Sequence, residues 1–343
     1  MTPLRAGIVG GGWIARVHVP AIDAAPGVEL VAACDVAADR AEAIAGPRGA
    51  RAYTRWEEML EREHLDVLWM CPPPLHHRAP VEAALAMGVH VYLEKPIART
   101  LDDADAIVAS AEASEAVCAV GYQWHASELL EEAREALDGQ RIAMLVGRNF
   151  GPVAGRPWFM DQAQGGGQIL ERGSHHIDLQ RALAGEVAAV EALAGPVGLA
   201  QPEPGSVADA IVLVLHFAGG AVGTVHSAWS REGQPELYAT DILATDATIN
   251  LELGPEAFRI GGVSGGRALR SEHGDPMGRS IARFLEAARA GDRDAVFCAP
   301  ADARRTLAVA LACERSLEQG TRVEAATSAG GEYQFLVRPE GGG

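Results

Sequence analysis

Gly10-Gly11-Gly12-Trp13-Ile14-Ala15 follows directly on a short apolar run, residues 5–9, and opens a helical pattern over residues 14–25. Few patterns leave a chain so little choice of fold. In a GxGxxA turn Gly10 permits the tight bend from strand to helix, Gly12 lets the backbone approach a pyrophosphate, and Ala15 keeps the helix close to the sheet. The first helical amides, at Trp13 and Ile14, then face phosphate oxygens. Such glycines alone are weak evidence. Here Asp35 ends the second apolar run, 20 residues after Ala15, where a carboxylate accepts both hydroxyls of an adenosine ribose. The combination points to a dinucleotide site on a doubly wound α/β fold. The negative charge of Asp35 opposes a 2′-phosphate, so NAD is the expected cofactor, while Arg40, five residues on, leaves NADP as the alternative.

The rest of the first 120 residues keeps the βαβ rhythm. Strands are expected at 5–9, 29–34, near 51–53, 67–70, 90–93 and 117–120, with helices at 14–25, 37–45, 56–61, 80–87 and 101–114. Thr100 with Asp103 reads as a helix entry and Gly88 as a helix end. Beyond Gly121 the rhythm changes. A helix at 127–137 and a strand at 141–150 lead to a glycine-rich segment and a helix ending near 183. Long alternating or apolar runs follow at 187–194, 207–217, 221–230, 236–244 and 247–253, with Gly219-Gly220 as a hairpin turn. Few helices separate them, so an antiparallel or mixed sheet is expected. Helices at 277–290 and 301–319 close the chain, and the tail at 338–343 is expected to fray. The division is therefore 1–122, a dinucleotide-binding Rossmann domain, and 123–343, a substrate-binding and oligomerisation domain.

A chain of 343 residues suits two domains, and no apolar stretch approaches the roughly 18 residues that span a membrane. The first residues lack the pattern of a secretory signal, and the five cysteines have no CxxC spacing. A cytoplasmic protein with free, buried thiols and no metal is expected. The net charge of −17 argues against nucleic acid and anionic membrane as partners. One compositional fact is sharper: of 29 basic side chains only Lys95 is lysine, and the other 28 are arginine. Arginine never gives up its proton in a protein, whereas lysine does when its surroundings disfavour the charge. Lys95 marks a place where proton transfer or a compact ammonium is needed.

Around Lys95 the sequence Glu94-Lys95-Pro96, behind Gly88-Val89-His90-Val91, resembles the glucose–fructose oxidoreductase and inositol dehydrogenase family (Gfo/Idh/MocA). Cys71-Pro72-Pro73-Pro74-Leu75-His76 resembles its proline-rich turn with a histidine, and Gly121-Tyr122-Gln123 its exit from the cofactor domain. Gly165-Gly166-Gly167 with Glu171, Gly173, His175 and Asp178 resembles the substrate-domain signature, and 219–224 a hairpin of its sheet. The resemblance implies a Rossmann domain followed by an α/β domain with a large, mostly antiparallel open sheet, whose face packs on another subunit as a homodimer or homotetramer. It implies hydride transfer at a hydroxyl carbon of a sugar, cyclitol or related cyclic polyol. Pro72, His76, Glu94, Lys95 and Gln123 would lie at the cofactor, and Lys95 and His175 at the substrate. Two departures fall near the substrate: Glu171 stands where aspartate is common, and Trp124-His125 replaces an arginine-containing stretch.

If residues 167–183 are helical, Glu171, His175 and Asp178 share one stripe. A hydrogen-bonded acid–base cluster, a metal site and a solvated stripe compete there; no typical ligand motif supports the metal. In the first reading a hydroxyl loses its proton to Lys95 or His175 as its carbon gives up a hydride, and Glu171 orients His175 or holds a hydroxyl. His176 points elsewhere. Trp124 and Trp158 are candidate platforms for a sugar face, with Arg156 and Gln168 as further contacts. Two other functions fit this scaffold: an NAD-retaining glycosidase that uses transient oxidation, and a silent NAD-binding sensor.

Overall fold

The computed structural model describes residues 3–153, 157–195, 207–230, 236–254 and 258–325. The tail at 338–343 and Arg156 lie outside them. Among the described residues, six parallel strands form the first sheet: β1 (Leu4–Val9), β2 (Val28–Cys34), β3 (Arg51–Tyr53), β4 (Val67–Met70), β5 (His90–Leu93) and β6 (Cys118–Val120). Their order is β3-β2-β1-β4-β5-β6. Continuous apolar runs suit strands covered on both faces, and all four residues of β4 are buried. The order reverses on either side of β1, which opens a crevice at the carboxyl ends of β1 and β4. Thr100 caps the helix Leu101–Ala113 by accepting from the Asp103 amide, as its sequence suggested.

The second sheet has nine strands among the described residues, in the order β14-β13-β12-β11-β7-β10-β9-β8-β15. They are β7 (Ile142–Pro152), β8 (Val187–Ala194), β9 (Ala210–Phe217), β10 (Val222–Ser230), β11 (Leu237–Ala244), β12 (Ala247–Leu253), β13 (Phe258–Ser264), β14 (Arg267–His273) and β15 (Val323–Glu324). Every pairing is antiparallel except β7 with β10. The sequence reading passed over β13, β14 and β15. The first two lie at an edge, carry glycines or charges and bury little, so no apolar alternation announces them.

Alternation is strict on β9 and β10. Leu213, Leu215 and Val225 turn inward beneath the helices Ser174–Ala184 and Pro300–Gln319, while Val212, Val214 and Val222 remain partly exposed on the other face. The helix Pro276–Ala290, expected with the second unit, packs on the first sheet: Ile281, Phe284 and Leu285 join Ile8, Trp69 and Tyr92 in one core. Phe284 meets Trp69 and Tyr92 edge-on, with centroids 5.7 and 5.5 Å apart. Burying a ring of that size contributes about 2–3 kcal/mol. An amphipathic pattern announces that a helix buries a face, not which sheet receives it.

Candidate active site

The glycine turn lies at the crevice. Gly10 has φ +89°, and a Cβ there would sit 2.6 Å from the carbonyl carbon of Cys71 and from Pro72 N, so only glycine fits. A Cβ on Gly12 would meet nothing within 4 Å, leaving an open backbone approach. The helix Trp13–Ala24 has no side-chain cap and no acid in its first turn, so its leading amides stay available to an anion. Ala15 is fully buried against the sheet. Asp35 is buried, and its carboxylate accepts from Gly11 N at 2.7 Å and Ala37 N at 2.9 Å, with Arg40 Nη1 4.0 Å away. This uncapped helix start, with a carboxylate fixed at the end of the next strand, fits a dinucleotide.

Beside the turn, the proline segment is gripped by His77, next to the expected cofactor residue His76. His76 is exposed and His77 is buried, with Nδ1 3.1 Å from Ile97 O and Nε2 2.9 Å from Pro72 O. The adjacent pair gave no sequence signal for choosing between them.

A cavity of about 690 Å³ runs from Trp13, Ile14 and Pro72 to the second sheet, and Glu94, Lys95, Gln123, Trp124, Trp158, Glu171, Arg172 and His175 line it. Lys95 follows the carboxyl end of β5. Its Nζ donates to the Glu171 carboxylate at 2.7 Å and to the Glu171 carbonyl at 2.8 Å. Before it, the buried Glu94 meets His18 Nε2 at 2.6 Å. Burial alone would raise the Glu94 carboxyl, but His18 and then Lys95 hold it below its ordinary value. His18 was missed in the sequence, although a polar residue among the buried positions Ala15, Val19 and Ile22 of one helix was a usable signal.

His175 lies 5.0 Å from the Trp124 ring and 5.9 Å from Tyr122, centroid to centroid, and its buried Nδ1 has no hydrogen-bond partner among the described residues. Burial first, and then the Lys95 charge, push its pKa well below the ordinary histidine value. The imidazole is neutral at neutral pH.

The expected single stripe does not form. Gly166 and Gly167 have positive φ, and residues Ile169–Gly173 wind as a π-turn before the helix Ser174–Ala184. The wider turn rotates Glu171 toward Lys95 and brings Arg172 to the cavity wall, a register that a 3.6-residue period misplaces. Asp178 is corrected: it is buried behind His175, accepts from Thr306 Oγ1 at 2.8 Å and lies 2.6 Å from His125 Nε2. Gln168 is corrected too. It is buried and donates to Ala208 O and Asp209 O while accepting from Ser227, which ties the glycine-rich segment to the sheet. Trp124 is 4 % exposed, wedged between His175 and His176, so only an edge of its ring reaches the cavity.

His125, Asp178, Cys298 and Asp302 bring ligand-type atoms within 4.8 Å of one another. Their chemistry favours an ion-pair network over a metal. Arg181 donates to Asp302, Thr306 to Asp178, and burial keeps the Cys298 thiol protonated by raising it well above its ordinary value.

Residues 4–122 match the family model described as oxidoreductase family, NAD-binding Rossmann fold, and residues 138–250 match the GFO/IDH/MocA C-terminal domain. The chain belongs to the Gfo/Idh/MocA oxidoreductase family. It is 28% identical over 236 residues to the 1,5-anhydro-D-fructose reductase of Ensifer adhaerens, covering 66% of this chain and 70% of that one. It is 28% identical over 250 residues to the D-apiose dehydrogenase of Paraburkholderia graminis, covering 71% of this chain and 65% of the relative. A solved levoglucosan dehydrogenase, in complex with NADH and levoglucosan, superposes with a TM-score of 0.80 at 20% identity, covering 95% of this chain and all of that one.

Within this family fold, the second sheet adds side chains that the sequence did not single out. Arg172 Nη2 donates to Tyr238 OH at 3.1 Å, and Tyr238 OH donates to Glu236 at 3.0 Å. Trp229 and Phe258 complete an aromatic wall with Trp158 and Phe159. All five cysteines are buried and free, as their spacing suggested. No helix among the described residues is long and apolar enough to cross a membrane.

Proposed function

We propose that this protein is an NAD-dependent dehydrogenase that exchanges a hydride with a hydroxyl-bearing carbon of a cyclic polyol, a sugar or cyclitol. One observation carries the reading: an ammonium clamped by Glu171 and a neutral imidazole line the same cavity as an uncapped phosphate-type helix start. Bound NAD⁺ supplies the hydride acceptor. His175 takes the hydroxyl proton, because it lines the cavity and is uncharged. Lys95 holds the reacting oxygen as a compact cation, and Glu171 offsets the charge that His175 gains. Gly10, Gly12, Trp13, Ile14, Ala15, Asp35, Pro72, Glu94 and Gln123 hold the cofactor, with Asp35 selecting NAD over NADP. Trp158 offers its face to the ring of the substrate.

The partly exposed apolar face of the second sheet supports a homodimer or homotetramer, and buried free thiols suit the cytoplasm. The test is a screen of sugars, cyclitols, glycosides and their keto forms, followed at the NADH absorbance. NADH formation with a polyol is the expected result. Sugar release without net NADH would turn the reading to a glycosidase, and ligand binding without either reaction would turn it to a sensor.

A further inference from the structure

We propose that the substrate carries a carboxylate and that Arg172 receives it. This rests on the dehydrogenase reading and narrows its substrate to an acidic cyclic polyol of the uronic acid kind.

Three arginines are buried among the described residues: Arg172, Arg181 and Arg304. Arg181 pairs with Glu186 at 2.7 Å and Asp302 at 3.0 Å, and Arg304 with Asp105 at 2.7 Å. Arg172 alone of the three has no ion pair among the described residues. Nη1 donates to Gly151 O at 3.2 Å and Nη2 to Tyr238 OH at 3.1 Å, and the guanidinium lies 4.9 Å from the Trp229 ring centroid. These partners are neutral. No carboxylate bonds the guanidinium directly among the described residues; Glu236 reaches it through Tyr238 OH, which leaves the direct ion-pair position of a buried cation open. Burial accordingly lowers the Arg172 pKa despite the raising effects of Tyr238, Glu236 and Glu171.

The deficit faces the substrate. Arg172 lines the main cavity and directly follows Glu171, the residue that clamps Lys95. A guanidinium lying against aromatic rings keeps a rigid fork of donors, which matches the two oxygens of a carboxylate. Trp158 and Phe258, both partly exposed on the cavity wall, offer apolar surface to a sugar ring, with the buried Phe159 and Trp229 packed behind them. Glu236, joined to the guanidinium through Tyr238 OH, sets an upper limit on charge. A monoanion completes Arg172, whereas a phosphate dianion would leave surplus negative charge against Glu236.

The experiment is a binding and turnover comparison on the full chain. Calorimetry on the enzyme–NADH complex measures D-glucuronate and D-galacturonate against D-glucose, D-galactose and glucose 6-phosphate, and the same compounds are assayed with NAD⁺. At least one uronate is expected to bind ten-fold or more tightly than its neutral counterpart and to be the better substrate. Arg172→Met should collapse that ratio, and Arg172→Lys should restore part of it. Glu236→Gln should move the ratio the other way, raising uronate affinity several-fold. NADH binding and thermal unfolding of each variant check that the fold is intact. Equal or weaker uronate binding in the native protein, or an Arg172→Met variant that keeps the ratio, would overturn the assignment, and preference for the phosphate would overturn the carboxylate. Selective uronate binding without NADH formation would keep the acid site and sink the dehydrogenase reading. Turnover of neutral sugars alone would do the reverse.

Discussion

At the scale of single residues, Lys95 and Asp35 carry the most testable chemistry. Nζ of Lys95 fits between the carbonyl and the carboxylate of one residue, Glu171. Lys95→Arg keeps the charge in a chain that already uses 28 arginines, but replaces a compact ammonium with a broad plane. Turnover should fall by roughly 10²-fold or more, with NAD affinity and thermal stability changed far less. Single-turnover hydride transfer and calorimetric NAD binding on the same variant decide it, and near-normal transfer would remove Lys95 from the chemistry. Asp35 is buried and fixed by the Gly11 and Ala37 amides, so it cannot swing away from a 2′-phosphate. NAD should be preferred over NADP by about tenfold or more, roughly 1.4 kcal/mol, and Asp35→Ser should narrow the gap. Equal catalytic efficiency of the native enzyme with both cofactors would mean that Arg40, 4.0 Å away, outweighs it.

At the scale of elements, the helix Ser174–Ala184 is pinned from behind. His125 Nδ1 lies 3.1 Å from Phe297 O and Nε2 lies 2.6 Å from Asp178 Oδ2. Both neighbours are acceptor oxygens, which favours the protonated ring. Burial works against that charge, yet Asp178 and Asp302 raise His125 above its ordinary value, with Arg134 opposing. A raised folded-state pKa stabilises the fold fully below the unfolded value, about 6.5, and the gain fades as pH rises through the folded value. Thermal stability should therefore fall on moving from pH 6 to pH 9. His125→Gln should flatten that slope and cost about 3 kcal/mol at pH 6, because it leaves a buried carboxylate without its cation. An unchanged slope in the variant would show that the pair contributes nothing to the pH dependence.

For the whole molecule, the second sheet presents one face that its own chain leaves partly open. Val146 and Phe150 of β7, Val212 and Val214 of β9 and Val222 of β10 stand on it, and Leu243 of β11 is 42 % exposed. Such apolar residues, set among Arg148, Asp241 and His226 on the same face, suit a partly polar contact with a second copy. Light scattering at micromolar concentration should find a dimer or tetramer, and Val214→Asp should shift it toward monomer without loss of the fold. A monodisperse native monomer would refute the interface.

The cofactor half was legible in the sequence because its determinants are local. A turn that needs glycine, a helix that starts there and a carboxylate one strand later lie within 26 residues, from Gly10 to Asp35, and continuous apolar runs announce strands covered on both faces. Lys95 stood out for a compositional reason, and His175 through its resemblance to a family motif. What the tertiary structure decided is which groups meet. The π-turn, invisible to a 3.6-residue period, gave Glu171 to Lys95 and turned Asp178 away to His125, while sheet register brought Tyr238 to Arg172 across 66 residues of chain. The same holds for the helix Pro276–Ala290, which returns to the first sheet because its apolar face fits the rings of Trp69 and Tyr92. Periodicity in a sequence states that a face will be buried; only packing selects the surface that buries it.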